Sequence, residues 1–160
     1  MVKPRYLLDT NILSEPLRPQ PDSSVMKQLE RHYHEVATAA VVWHELRFGC
    51  CPLPVSRKRQ RIEQYLNEVV LPHLPLLPYD QAAADWHAEE RARLSGMGLA
   101  PPFADGQIAA IAKTHNLIVV TANVADFEHF LDITVENWFF SESDQEDNGD
   151  TFSKQEPSEK

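Results

Sequence analysis

Residues 5–15 read RYLLDTNILSE, and this stretch decides the fold. Its first half is a short apolar run that ends at Asp9, Thr10 and Asn11, a pattern typical of a buried strand that runs into a turn. Further short apolar runs are candidate strands: residues 36–39, 74–77, 117–120 and 134–135. Helical patterns separate them. Strands that alternate with helices predict an α/β fold with a central parallel sheet and helices on both faces, in three layers.

The segments between the candidate strands are predicted to form helices. They cover residues 12–17, 22–33, 39–49, 56–71, 80–94 and 106–115. Asp22 and Thr38 are suitable N-caps for the second and third of these helices, and Asp105 is predicted to open the last one. Arg57, Lys58, Arg59 and Arg61 make the fourth helix basic. Its cations are best explained as a solvated face, with contact to an RNA backbone as the alternative.

The net charge of −9 is spread unevenly over the 160 residues. Residues 141–160 hold seven acidic residues against two lysines, a net charge of −5, which leaves −4 for residues 1–140. The segment 141–160 has almost nothing to bury and is predicted to be a disordered acidic tail. Residues 1–140 are predicted to form one domain. Their negative charge argues against binding of nucleic acid by a broad basic surface.

Several protein classes lack support in this sequence. No apolar run approaches the roughly 20 residues that cross a bilayer, and Asp9 interrupts the first apolar stretch, unlike a secretory signal. The two cysteines, Cys50 and Cys51, are adjacent and lack the spacing of a zinc or redox pair. We therefore expect a cytoplasmic protein with no membrane partner.

Four acidic residues fall where the predicted fold brings them together. Asp9 follows the first strand, and Glu45 lies in the helix after the second strand. Asp105 opens the helix that leads into the strand at 117–120, and Asp126 follows that strand. In open α/β sheets the crevice lies outside the carboxyl ends of the strands. The four carboxylates are therefore predicted to converge on one rim of the sheet.

Each of these acids, taken singly, has an ordinary explanation. Asp9 suits an Asx turn and Asp105 suits a helix N-cap, while Glu45 and Asp126 suit solvated positions. Taken together, carboxylates at one rim repel one another unless a cation is present. Oxygen ligands favour Mg²⁺ or Mn²⁺, and a cation there would let an acidic protein accept a phosphate polymer.

Four sequence motifs, in this order, resemble those of PIN-domain ribonucleases of the VapC type, the toxin half of bacterial toxin–antitoxin pairs. The motifs are LDTNILSE at residues 8–15, WHELRFG at 43–49, DGQIAAIA at 105–112 and VTANVADF at 120–127. The resemblance spans about residues 5–138 and ends near the pair Asn137-Trp138.

The resemblance implies a PIN-like three-layer α/β/α domain and a Mg²⁺-dependent endoribonuclease. Carried over by position, Asp9, Glu45, Asp105 and Asp126 would be the catalytic and metal-binding acids, and Asn11 and Thr121 would be supporting polar groups. A metal-activated water would attack the RNA phosphodiester. The resemblance also implies a homodimer and a cognate antitoxin that occupies the active-site groove, with DNA bound only indirectly through the antitoxin.

Two features depart from the family pattern. Ala122 stands where the family commonly has Arg, which puts the details of RNA or antitoxin contact in question but not the metal site. The acidic segment beyond Ser141 is longer than is typical, and it is either an inert extension or a mimic of RNA that competes for the site.

Three other functions are compared with the nuclease: a phosphatase, a dinucleotide-binding domain and a non-catalytic binding module. A phosphatase with a nucleophilic Asp9 would want an acid at the position of Asn11, and a dinucleotide-binding domain would want a glycine-rich first turn. The serious alternative is a non-catalytic PIN-like module that acts only as part of a DNA-binding toxin–antitoxin repressor complex. The presence of all four acids favours the nuclease.

Overall fold

The computed structural model describes residues 3–139, so the tail predicted at 141–160 lies outside the described residues. Its centre is a parallel sheet of five strands in the order β3-β2-β1-β4-β5. The strands are β1 (Tyr6–Leu8), β2 (Val36–Ala39), β3 (Leu76–Leu77), β4 (Ile118–Val120) and β5 (Val135–Glu136). All five predicted strands are confirmed; β4 is one residue and β3 two residues shorter than predicted, and β5 is shifted by one residue.

Helices cover both faces of the sheet and complete the predicted three-layer α/β/α fold. The α-helices are α1 (Thr10–Leu13), α2 (Ser23–Arg31), α3 (Ala40–Cys50), α4 (Arg57–Tyr65), α5 (Leu71–His73), α6 (Gln81–Gly96) and α7 (Phe103–His115). Glu15–Leu17 and Val124–Phe127 are 3₁₀ turns, and Leu66–Val70 is a π-helical segment that joins α4 to α5. The helix predicted at 56–71 is therefore observed as a nearly continuous helical segment over residues 57–73.

The connections place a topological switch point between β1 and β4. The chain leaves β1 to one side to form β2 and β3, and then crosses back to form β4 on the other side of β1. Crevices open at such points because the connections on the two sides diverge. In register, Leu8 of β1 lies beside Val120 of β4, so the residues that follow them, Asp9 and Thr121, emerge as neighbours.

The core lies around β1 and β2, in which every residue is buried. Because their side chains point alternately to both faces, such burial requires cover on both sides of the sheet. On α7 a continuous run, Ile108 to Ala112, is also buried. Along residues 3–139 no helix has the length and apolar character needed to cross a membrane.

Two cap predictions were wrong. Thr38 is the third residue of β2 and does not cap α3; its hydroxyl donates to the Leu8 carbonyl at 2.8 Å, inside the sheet. Asp105 does not cap α7, because that helix begins earlier, at Phe103, after Pro102. Asp105 therefore sits in the first helical turn, and its carboxylate accepts no hydrogen bond from the part of the chain that the structure describes. The prediction for Asp22 is confirmed, with Val25 donating to its side chain at 3.0 Å.

Candidate active site

Asp9 is the most tightly held of the four predicted acids. It is 6% exposed, and its backbone N–H donates to the Val120 carbonyl, which fixes it to the end of β4. One carboxylate oxygen accepts from the Thr10 N–H at 2.8 Å and the other from the Thr121 hydroxyl at 2.8 Å. Asp9 is thus both the N-cap of α1 and a fixed carboxylate at the switch point.

Thr121 and Asn11 form a polar bridge over Asp9. The Asn11 amide donates to the Thr121 hydroxyl at 3.2 Å and, more weakly, to Asp9 at 3.4 Å. The Asn11 carbonyl oxygen accepts from the Ala122 N–H at 2.9 Å, and the Thr121 hydroxyl accepts from the Asn123 N–H at 3.1 Å. The bridge ties α1 to the loop after β4 and sets the orientation of the Asp9 carboxylate.

The other three acids come from three different elements. Glu45 is half-buried on α3, Asp105 is half-buried in the first turn of α7, and Asp126 is exposed in the 3₁₀ turn after β4. Thr10 donates its hydroxyl to the Glu45 carboxylate, which links α1 to α3. We call Asp9, Glu45, Asp105 and Asp126 the acid cluster.

The charges of the acid cluster act on one another. Burial raises the pKa of Asp9, the hydrogen bonds from Thr121 and Thr10 oppose that rise, and the charges of Glu45 and Asp126 add to it. Burial, followed by the charges of Asp9, Asp126 and Glu45, raises the pKa of Asp105 to about 6. The negative charges of these acids therefore oppose the ionisation of Asp9 and Asp105, and a positive charge nearby would relieve that effect.

The donor set fits a hard divalent cation. All candidate ligands are carboxylate oxygens, and no acid of the cluster has a cationic side chain within salt-bridge distance among the residues described. Within residues 3–139, however, no three acidic, histidine or cysteine side chains are already close enough to share an ion. Asp9 is fixed and Glu45 is held by Thr10, whereas Asp126 is exposed, so a cation bound by several of these acids would require side-chain movement around Asp9.

Comparison with known proteins identifies the family. The PIN domain profile matches residues 6–130, most of the chain. The chain belongs to the PIN-domain family. A PIN-domain relative, the toxin FitB of Neisseria gonorrhoeae, is 38% identical over 76% of this chain and 89% of its own length. The VapC ribonuclease Y4jK of Sinorhizobium fredii is 34% identical over the same two shares.

A solved structure supports the same family. The structure of FitAB bound to a DNA fragment matches this PIN domain with a TM-score of 0.77 and 34% identity, over 85% of this chain and 97% of that one. The PIN-domain family and the three-layer fold expected from the motifs are thereby confirmed.

Two polar residues have structural roles that the sequence did not reveal, Thr10 at the site and Glu15 at the start of α2. Thr10 lies in the motif at residues 8–15, and its hydroxyl holds Glu45. Glu15 is 3% exposed and accepts from the Asp22 N–H at 2.9 Å, so it fixes the start of α2. The signal for Thr10 is its place in the polar stretch of Asp9, Thr10 and Asn11 that follows the buried strand β1. Nothing in the local pattern marks Glu15 as buried, because its partner is seven residues away.

Proposed function

We propose that this PIN-domain chain is a divalent-metal-dependent endoribonuclease of the VapC type, the toxin of a toxin–antitoxin pair, acting in the cytoplasm. The observation that carries the proposal is the acid cluster at the switch point of the sheet, with Asp9 held between Thr10 and Thr121. A relative of 34% identity carries the name VapC ribonuclease. Mg²⁺ is the proposed metal, with Mn²⁺ as a substitute.

Asp9 would be the central ligand, assisted by Asp105, with Glu45 and Asp126 bound directly or through water. A divalent cation supplies Lewis-acid activation of water and of the phosphodiester when it is bound. The chain's own residues do the positioning. Thr121 and Thr10 hold the two oxygens of Asp9 in fixed directions, and Asn11 keeps the loop after β4 against α1. Preorganisation of this kind avoids rearrangement during the reaction.

Asp9→Asn tests the proposal directly. The amide keeps the size of the side chain but loses the charge, so the variant should fold and lose cleavage of a labelled single-stranded RNA in Mg²⁺ or Mn²⁺. Loss of a residue that merely supports a ligand reduces metal affinity or activity about 10- to 100-fold, so loss of the ligand itself should cost about 100-fold or more. Asp85→Asn, at an exposed position on α6, is the matched control. Wild-type turnover by Asp9→Asn would refute the assignment.

An apolar groove supports the proposed antitoxin partner. It has a volume of about 430 Å³ and lies between α2, the end of α1 and the π-helical segment. Met26, Tyr33 and Val69 line it and are 37%, 49% and 47% exposed. An amphipathic helix places apolar side chains into such grooves. We propose that a helix of the antitoxin binds here and that DNA is contacted through the antitoxin, as a neighbour solved with DNA suggests.

Charge substitutions in the groove test this partner. A protein that copurifies with the wild-type chain from its native cells, and that inhibits its RNA cleavage, should be lost from Met26→Asp/Val69→Asp. It should be retained by Met97→Asp/Leu131→Asp, since these residues are 61% and 52% exposed and lie outside the groove. Equal retention by both double variants would place the antitoxin elsewhere. The homodimer remains a prediction, to be measured by light scattering of the purified chain.

The non-catalytic alternative makes an opposite prediction for the metal. A module that serves only in a DNA-bound repressor complex has no need of a cation at the acid cluster. Calorimetric titration of the wild-type chain with Mn²⁺ should therefore give a binding isotherm that Asp9→Asn lacks. Absence of Mn²⁺ binding together with absence of RNA cleavage would favour the alternative.

A further inference from the structure

A groove of about 510 Å³ lies between the segment that follows α1 and the first turns of α4. Four cations line it: Arg18, Arg57, Lys58 and Arg61. No lining residue is acidic. We call this surface the basic groove. Its charge is opposite in sign to that of the chain as a whole, which is −9.

The cations of the basic groove are available for a ligand. Arg57, Lys58 and Arg61 are exposed, and none has an ion-pair partner within residues 3–139. Arg18 approaches Glu15 only at 3.8 Å and has a side chain that is 69% exposed. Arg59, which does not line the groove, is by contrast held by Glu63 at 2.9 Å and by the Leu53 carbonyl at 2.7 Å.

The position of these cations does not favour folding. Arg57 and Lys58 are the first two residues of α4, and positive charge at a helix N-terminus opposes the helix macrodipole. The Ser56 side chain caps the helix but adds no negative charge. A bound anion would offset both the mutual repulsion of the cations and their conflict with the dipole. The arrangement is therefore better explained by a ligand than by the stability of α4.

The basic groove begins close to the acid cluster. Ser14 lines the groove and is the C-cap of α1, whose N-cap is Asp9. With a rise of about 1.5 Å per residue along a helix, the Cα atoms of these two residues are roughly 8 Å apart along the axis of α1. The acid cluster and the groove therefore lie at opposite ends of the same short helix, and a nucleic acid strand that follows α1 would pass from one to the other.

We infer that the basic groove binds the phosphate backbone of the RNA strand on one side of the bond that is cut. The inference rests on the proposed ribonuclease function and adds the path of the substrate. Three flexible cations on α4 and one on the segment after α1 contact successive phosphates, while Leu17 and Ile62 give the riboses apolar surface. The groove thus supplies the local positive charge that a net acidic chain needs to hold a polyanion.

Neutralisation of the groove tests this path. The groove variant is Arg57→Gln/Lys58→Gln/Arg61→Gln. Its control is Lys3→Gln/Arg5→Gln/Arg31→Gln, which also removes two arginines and one lysine, but from exposed positions outside the groove. The probe is a fluorescein-labelled single-stranded RNA in EDTA, so that binding is measured without cleavage. The groove variant should bind about 10-fold or more weakly, and its log–log salt slope should fall by about 2.

The outcomes separate this inference from the proposed function. Both triple variants should fold cooperatively and keep the wild-type Mn²⁺ affinity, which shows that the acid cluster is intact. The groove variant should melt no lower than the wild type, because its cations oppose the macrodipole of α4. Equal RNA affinity of the two triple variants, while the wild type still cleaves RNA, would overturn the groove alone. Weaker binding by the groove variant, with no cleavage by the wild type, would support the groove and refute the nuclease. Binding of a synthetic peptide of residues 141–160 in place of RNA would assign the groove to the acidic tail and overturn the inference.

Discussion

In the absence of a bound metal, the negative charge of Asp105 lowers the stability of the folded state. Its pKa is raised from 3.8 to about 6 by burial and by the neighbouring acids, so the folded state holds its proton more tightly than the unfolded state does. The metal-free protein therefore loses stability as the pH rises through the range from about 4 to about 6. Above that range the full penalty is present.

Asp105→Asn should remove this penalty. In EDTA at pH 7.5 the free energy of unfolding of the variant should exceed that of the wild type by about 1 to 2 kcal/mol, after allowance for solvent screening at a half-buried site. The variant should therefore melt a few degrees above the wild type. At pH 3, where the wild-type carboxyl is mostly protonated in both states, the difference should nearly vanish. Thermal unfolding at the two pH values measures this, with Asp85→Asn as the exposed control. A difference that is the same at both pH values would contradict the explanation.

The hydroxyl group of Thr121, and not the size of its side chain, connects Asp9 to its neighbours. Its hydroxyl donates to Asp9 and accepts from Asn11 and Asn123, and the side chain is fully buried. Thr121→Val keeps the shape and leaves these partners unpaired, which should reduce the free energy of unfolding by about 1–3 kcal/mol and weaken Mn²⁺ binding. Thr121→Ser keeps the hydroxyl and should retain most of the Mn²⁺ affinity. Denaturant unfolding and calorimetry compare the two. Equal Mn²⁺ affinity of the Val and Ser variants would show that the bridge does not orient Asp9.

At the scale of elements, the contact of α6 with α7 sets the position of Asp105. Gly106, the next residue, faces the imidazole of His87, and a Cβ atom there would overlap the ring. His87 is 4% exposed, and its Nδ1 lies 2.8 Å from the Tyr79 hydroxyl, so it has little freedom to move. The two helices can pack this closely only because residue 106 has no side chain.

Gly106→Ala should therefore push α7 away from α6. We expect a loss of about 1–3 kcal/mol in the free energy of unfolding, together with weaker Mn²⁺ binding because Asp105 moves. Gly49→Ala on α3 is the control, since a Cβ atom there meets nothing within 4 Å and should add up to about 1 kcal/mol through helix propensity. His87→Ala in the Gly106→Ala background should recover part of the loss. Additive effects of the two substitutions would argue against a direct clash.

Elements were predictable from the sequence where local chemistry decides them. The buried strands β1, β2 and β4 follow from short apolar runs, and Asp22 and Asp80 cap α2 and α6 as their positions suggest. Thr38 and Asp105 also stand where a helix N-cap is expected from the sequence, but their tertiary surroundings give them other positions. A sheet partner takes the Thr38 hydroxyl, and Pro102 allows α7 to begin two residues before Asp105.

The sequence predicts that the acids lie near one another, but it does not predict their contacts. The carboxyl ends of parallel strands meet at one edge, so the approach of Asp9, Asp105 and Asp126 follows from topology. The contact of Thr10 with Glu45 depends on how α1 packs against α3, which no local pattern encodes. The basic groove likewise needs α4 to lie beside the segment after α1, and the sequence alone favoured a solvated face for these cations.

For the whole molecule, a bound cation should act as a stabilising ligand of the folded state. The mutual repulsion within the acid cluster is present only when the chain is folded, so a cation that relieves it binds the folded state in preference to the unfolded one. A ligand at 100 times its dissociation constant stabilises by about 2.7 kcal/mol. Mg²⁺ or Mn²⁺ should thus raise the melting temperature of the wild type by several degrees relative to EDTA.

The same measurement on Asp9→Asn and Asp85→Asn identifies the site of the effect. Asp9→Asn removes the only buried acid of the cluster and should abolish most of the metal-dependent rise, whereas Asp85→Asn should keep it. NaCl at matched ionic strength controls for screening, which weakens repulsion between all charges and so acts on both variants alike. An equal rise in all three chains would locate the cation outside the acid cluster, because Asp9 is the proposed ligand whose carboxylate is held by hydrogen bonds on both oxygens.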